Sequence, residues 1–160
     1  MQPLTPDDVR RALHAVDPSI ELLHFEESTA TSELAAAAIG CEVAQIAKSI
    51  CLLVNGTPVL VVMSGTRQVD DKKVAALYEV GRKKVKMAKA DECIEIFGYP
   101  PGGVPPVGHR TEGITIYLDE SLHHFERIYA AAGSASVNFG VSPHQLETIT
   151  GGQWIDLAKD

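Results

Sequence analysis

Two apolar stretches, Ile50-Cys51-Leu52-Leu53-Val54 and Val59-Leu60-Val61-Val62-Met63, stand on either side of Asn55-Gly56. Asn-Gly suits a tight two-residue hairpin, because both central positions need a positive φ. Neither arm has a polar face, so both faces must be covered by other elements. The pair therefore reads as the centre of a sheet. An antiparallel hairpin at that centre argues against a regular parallel βαβ fold.

The flanking elements alternate irregularly. Thr5, Pro6, Asp7 and Asp8 have the chemistry of a helix start, and Val9, Leu13 and Val16 share one face before Pro18 closes it. Ile20 to Phe25 reads as a short strand. Thr31 or Ser32 caps a second helix over 33–39, stopped by Gly40. Its alanine-rich face must pack closely against a neighbour. Asp70 or Asp71 opens a third helix with Val74, Leu77 and Tyr78 inward and Gly81 at its end. Val85 and Met87 alternate as a short strand, and a fourth helix spans 91–97 before Gly98. Ile114, Ile116 and Leu118 alternate as a strand. Segments 128–132 and 136–141 form two more, separated by Gly133. Ser142-Pro143-His144-Gln145 opens a last helix with a capping box. Trp154 to Leu157 is the closing tail. The expected fold is α+β, with a curved mixed sheet flanked by helices, over one domain spanning 1–160.

At 160 residues with 45% hydrophobic content, the chain suits one core. No apolar run approaches the roughly 18 residues of a membrane span. The first eight residues lack the regions of a signal peptide. The expected location is the cytoplasm, with no membrane contact. Cys41, Cys51 and Cys93 show no C-x-x-C spacing and read as small buried hydrophobes.

The formal charge is −7, but it is unevenly placed. Residues 67–89 carry eight basic side chains against three acidic ones, a net +5 that leaves −12 on the remainder. A basic face on an acidic body can bind phosphates while the body rejects non-specific contact. A solvated helix and loop would have the same composition.

Two features could carry chemistry. Lys48 begins the most apolar strand, in Gln45-Ile46-Ala47-Lys48-Ser49-Ile50. A lysine there must reach solvent, pair with an acid or line a cavity. The loop Pro100-Pro101-Gly102-Gly103-Val104-Pro105-Pro106-Val107-Gly108 is stiffened by four prolines, and its three glycines admit close backbone approach. Amides of Gly102, Gly103, Val104, Val107 or Gly108 could hold a carbonyl oxygen or phosphate. A rigid surface turn is the simpler alternative. His109 follows the loop. The six histidines form no metal-ligand set, and no metal or cofactor is expected. The G-x-S-x-G, P-loop and G-x-G-x-x-G signatures are missing.

The order of these features resembles a known family. Thr31 to Gly40, Ile46 to Ile50, the run Gly102 to His109, and Ala132-Gly133 are together similar to the YbaK/EbsC group. That group includes the editing domain inserted in bacterial prolyl-tRNA synthetases and its free-standing relatives. The resemblance spans roughly residues 20–150. It implies a barrel-like mixed sheet with flanking helices and hydrolysis of the ester in misacylated tRNA. It assigns catalysis to Lys48 and Gly133. It assigns substrate binding to Ser49, Gly102, Gly103, Val104, Pro106, Gly108, His109 and Asn138, the last standing where some members carry a pocket histidine. The implied protein acts in trans on tRNA charged with Ala, Cys or Ser, with transient association with a synthetase. A non-catalytic module binding an aminoacyl group, a nucleotide or tRNA is the alternative, and a structural interaction domain is a third reading.

Overall fold

The computed structural model describes residues 1–160. The hairpin forms as its chemistry requires. Strands β2 (Ala47–Val54) and β3 (Thr57–Ser64) pair antiparallel in full register, from Ala47 opposite Ser64 to Val54 opposite Thr57. Asn55 and Gly56 take φ of 50° and 83°. The pair lies inside a five-stranded mixed sheet, with β4 (Val85–Met87) outside β2, and β5 (Thr115–Asp119) then β8 (Gln153–Ile155) beyond β3. Both β5 and β8 run parallel to their inner neighbours.

Alternation along the central strands divides the interior. Ala47, Cys51, Leu60 and Val62 face the larger apolar cluster, while Leu52, Val54, Val61 and Met63 face a smaller one. The second cluster is covered by α3 (Asp71–Leu77) through Val74 and Ala75. Helix α1 (Pro6–His14) inserts Val9 and Leu13 into the first.

The remaining strands form a second sheet. Strands β1 (Leu22–His24), β7 (Val137–Val141) and β6 (Ile128–Ser134) pair antiparallel in that order. One isolated bridge, Ile46 to Tyr129, joins the two sheets. The expected barrel-like sheet is therefore corrected to two sheets with no barrel closure. The α+β class stands.

Helix α2 (Ser32–Ile39) starts where Thr31 Oγ1 accepts the Leu34 N–H and stops at left-handed Gly40. Its alanines pack as their size demands, with Ala35 and Ala36 buried against Ile46. Helix α4 (Ala90–Glu92) continues as a π turn, Cys93–Phe97, before Gly98. Helix α5 (Pro143–Thr150) has the expected capping box, with Ser142 Oγ accepting from the Gln145 N–H at 3.1 Å.

Three expected inward residues differ. Val16 lies beyond the end of α1 and is 50% exposed, and Leu77, the last residue of α3, is 40% exposed. Cys41 is only partly buried. The closing tail begins in a strand, β8, which spans Gln153–Ile155.

Gly133 has a structural reason to be glycine. Its φ is +97°, and a Cβ would lie 2.9 Å from the Pro6 backbone nitrogen. The neighbour is main chain at the start of α1, which cannot rotate away. Gly133→Ala is expected to cost about 1–3 kcal/mol, read as a lower midpoint in urea unfolding.

Candidate active site

Strand β4 covers only Leu52 to Val54 of the outer edge of β2. The earlier part of β2 has no strand on that side. A cavity of about 400 Å³ occupies the place, closed by the first turn of α2, the chain at Met87–Ala88 and the Pro101–Val104 loop. This volume suits a small-molecule moiety.

Lys48 lines this cavity. Its Nζ donates to the Gly65 carbonyl oxygen at 3.4 Å. Burial lowers its pKa from the ordinary lysine value, while Glu33 and Asp119 oppose the shift. Glu33 stands in the first turn of α2 and also lines the cavity. The amides of Ser32 and Glu33 donate no hydrogen bond within the chain, so the positive end of α2 borders the space.

Three side-chain oxygens around the cavity are buried without a partner: Thr29 Oγ1, Ser49 Oγ and Asn138 Oδ1. Thr29 and Asn138 are 4% and 2% exposed. Buried polar atoms are nearly always paired, so three such atoms on residues around one space point to a polar ligand or bridging water there. Thr29 was not among the residues the sequence singled out. It lies in the irregular segment before α2, where only the tertiary fold shows what it faces.

The structure brings Lys48, Ser49, Gly102, Val104 and Asn138 to the cavity and places the other expected site residues elsewhere. Gly103 N–H donates to Pro100 O at 3.1 Å, and Gly133 N–H donates to Gly103 O at 2.9 Å. Neither amide is free to hold an oxyanion. Gly103 lies so close to Ser134 that a Cβ would meet its backbone at 2.9 Å. Pro106 is buried away from the cavity. Gly108 O accepts from the Tyr99 hydroxyl at 2.7 Å. His109 Nε2 contacts Pro105 O at 2.7 Å, its ring stands edge-on to Phe97, and burial lowers its pKa. These residues shape the loop from behind. Gly102 and Val104 differ, because their amides donate to nothing in the chain.

No histidine lines the cavity. Cys51 and Cys93 do, but the neighbouring Cys93 thiol and burial push the Cys51 pKa up, the Cys51 thiol draws that of Cys93 down against its burial, and Cys93 Sγ faces Ala88 O at 3.9 Å. Without a base beside a nucleophile, the arrangement offers charge and hydrogen-bond donors rather than covalent catalysis. No three His, Cys, Asp or Glu side chains converge to hold a metal ion.

Gly65 explains how closely α2 approaches. A Cβ there would stand 2.4 Å from Val43 O and 2.9 Å from Ser32 Cβ. Gly65→Ala is expected to push the Ser32 end of α2 outward and to lower stability by about 1–3 kcal/mol, measured by thermal unfolding.

The cavity, its single lysine and the α+β frame define a ligand-binding domain. A family model described as the aminoacyl-tRNA editing domain matches residues 26–149. The chain belongs to that family, the YbaK/EbsC editing domains related to the one in prolyl-tRNA synthetases, which act on aminoacyl-tRNA. It is 35% identical over 144 residues to the uncharacterized YwhH of Bacillus subtilis, covering 88% of each chain. It is 29% identical over 134 residues to EbsC of Enterococcus faecalis, covering 83% of this chain and 80% of that one. The name of EbsC provisionally assigns it Cys-tRNA(Pro)/Cys-tRNA(Cys) deacylase activity. Among solved structures, one described provisionally as a trans-editing enzyme for prolyl tRNA synthetase superposes with a TM-score of 0.89 at 33% identity, covering 97% of both chains. No helix of the chain is long and apolar enough to cross a membrane.

Proposed function

We propose that the chain is a trans-acting deacylase that hydrolyses the ester of misacylated tRNA, with Ala-, Cys- and Ser-charged tRNA as its candidate substrates. The observation that carries this reading is the Lys48 ammonium in a cavity bordered by three partnerless oxygens and by no nucleophile–base pair. An aminoacyl ester is already activated. Its hydrolysis requires a held carbonyl, an admitted water and a stabilised oxyanion, not a covalent intermediate.

In this reading Lys48 is the charged anchor for the carbonyl or the terminal phosphate, because an ammonium donates and cannot accept. The free amides of Gly102 and Val104 are the oxyanion donors. Ser49, Asn138 and Thr29 hold the aminoacyl group. The Gly133 amide donates to Gly103 O and is not among the oxyanion donors.

The basic segment supplies the nucleic-acid contact. The structure divides it: Arg67 pairs with Asp119 and Asp156 and Lys73 with Asp156 and Asp160, whereas Arg82, Lys83, Lys84, Lys86 and Lys89 are exposed. Strand β4 leads from the exposed group to Met87 at the cavity wall. Reversing the charges at Arg82, Lys83, Lys84 and Lys86 is expected to raise KM for charged tRNA about tenfold or more and to flatten its salt dependence. Steady-state kinetics at several salt concentrations checks this. Unchanged KM and slope would remove the segment from the substrate path. Saturable tRNA binding with no amino-acid release would instead favour a binding module.

A further inference from the structure

Asp119 ends β5 and is 1% exposed. Its carboxylate accepts from Ser64 N–H at 3.1 Å, Arg67 Nη1 at 2.6 Å, Ser121 N–H at 3.2 Å and Ser121 Oγ at 2.8 Å. Burying a carboxylate costs several kcal/mol unless it is paired and hydrogen-bonded. The two Ser121 contacts cap the helical turn Glu120–His124, a task that a neutral asparagine or serine performs equally well. The Ser64 and Arg67 contacts do something else. They hold the turn that follows β3.

That turn is also tied to the chain just before Lys48. Ser64 Oγ donates to Ala44 O at 2.7 Å, and Gly65 N–H donates to Ile46 O at 2.8 Å. Gly65 O is the acceptor for Lys48 Nζ. Since Gly65 has no room for a Cβ against Val43 and Ser32, the turn cannot shift without moving the start of α2.

We infer that Asp119 is the positioning residue for Lys48, fixing through the Ser64–Arg67 turn where the ammonium stands at the cavity wall. Its charge acts in the same direction. The charged and titratable groups around Lys48 are Glu33 on α2, Asp119 with its partner Arg67, and the Cys51 and Cys93 thiols in the cavity wall. Burial disfavours the ammonium, and Glu33 and Asp119 favour it. The effect on rate rests on the deacylase reading, but the coupling of Asp119 to Lys48 does not.

The test follows the Lys48 ammonium directly, by NMR titration of reductively 13C-methylated protein, with the Lys48 signal assigned by its loss in Lys48→Arg. In Asp119→Asn the Lys48 midpoint is expected at lower pH than in wild type, and Asp119→Glu is expected to restore it. In the deacylation assay Asp119→Asn is expected to lose about tenfold in kcat with little change in KM. A folded Asp119→Asn with the wild-type Lys48 midpoint and the wild-type kcat overturns the inference, because a carboxylate that neither faced nor fixed the ammonium would leave both in place. Should Asp119→Asn fail to fold, Arg67→Gln carries the test. It leaves the carboxylate less compensated and is expected to move the Lys48 midpoint upward, and an unmoved midpoint overturns the inference. Absence of deacylation in wild type would sink the functional reading and leave both titrations decisive.

Discussion

Lys48→Met is expected to lower the deacylation rate by about two to three orders of magnitude without lowering the melting temperature. Methionine has similar length and no charge, so it fills the same space beside Gly65 and removes only the ammonium. The loss corresponds to removing one charged donor from a preorganised site. The stability half of the expectation follows from the direction of the pKa. Burial lowers the Lys48 value in the folded state, so the unfolded chain binds more protons between the folded and unfolded pKa values. Below that window the buried ammonium costs stability, and methionine relieves the cost. The same direction sets the pH dependence of activity. The rate, corrected for spontaneous ester hydrolysis, is expected to hold while Lys48 is protonated and to fall as pH rises through its lowered pKa. A rate that instead rises through that pKa would make Lys48 a base rather than an anchor.

Phe139→Ala is expected to cost about 3–5 kcal/mol, the second large effect. Phe139 is fully buried at the middle of β7, the central strand of the three-stranded sheet, opposite Leu22 on one side and Ala130 on the other. No neighbouring strand can collapse into the space without breaking its own register. Asn138 precedes it in β7 and reaches the cavity on the other face of the strand. Loss of the ring therefore loosens both core and site. Guanidinium unfolding should show a lower midpoint at an unchanged slope, and deacylation should weaken at temperatures where the variant is still folded. A cost below about 1 kcal/mol would mean that the three-stranded sheet contributes little to cooperative stability.

Local chemistry made much of the frame legible. Asn55-Gly56 specified the central hairpin, because few pairs accept two positive φ angles. Thr31, Gly40 and the Ser142 box marked helix ends by the atoms they offer to free backbone groups. Strand β8 was not legible, since Gln153 to Ile155 is a strand only through its parallel pairing with distant β5. The split into two sheets was hidden for the same reason.

The site was legible where a residue type was costly and obscure where the cost was met elsewhere. Lys48 at the start of an apolar strand demanded an explanation, and the cavity provides one. Gly103 and Gly133 bear each other's hydrogen bond and close backbone contacts, which glycine chemistry resembles as readily as ligand binding. His109 similarly serves its own loop. Thr29 and Asp119 carry ordinary local signals, a pre-helix threonine and an aspartate cap. Only the fold shows that one borders the cavity and the other holds the turn behind Lys48.

The most direct test of the central claim is amino-acid release by the wild-type chain from tRNA charged with Ala, Cys or Ser, measured beside Lys48→Met. The account predicts release from at least one of the three by wild type, and a rate lower by about two to three orders of magnitude for the variant. No release from any of them, or an equal rate in the variant, would contradict it.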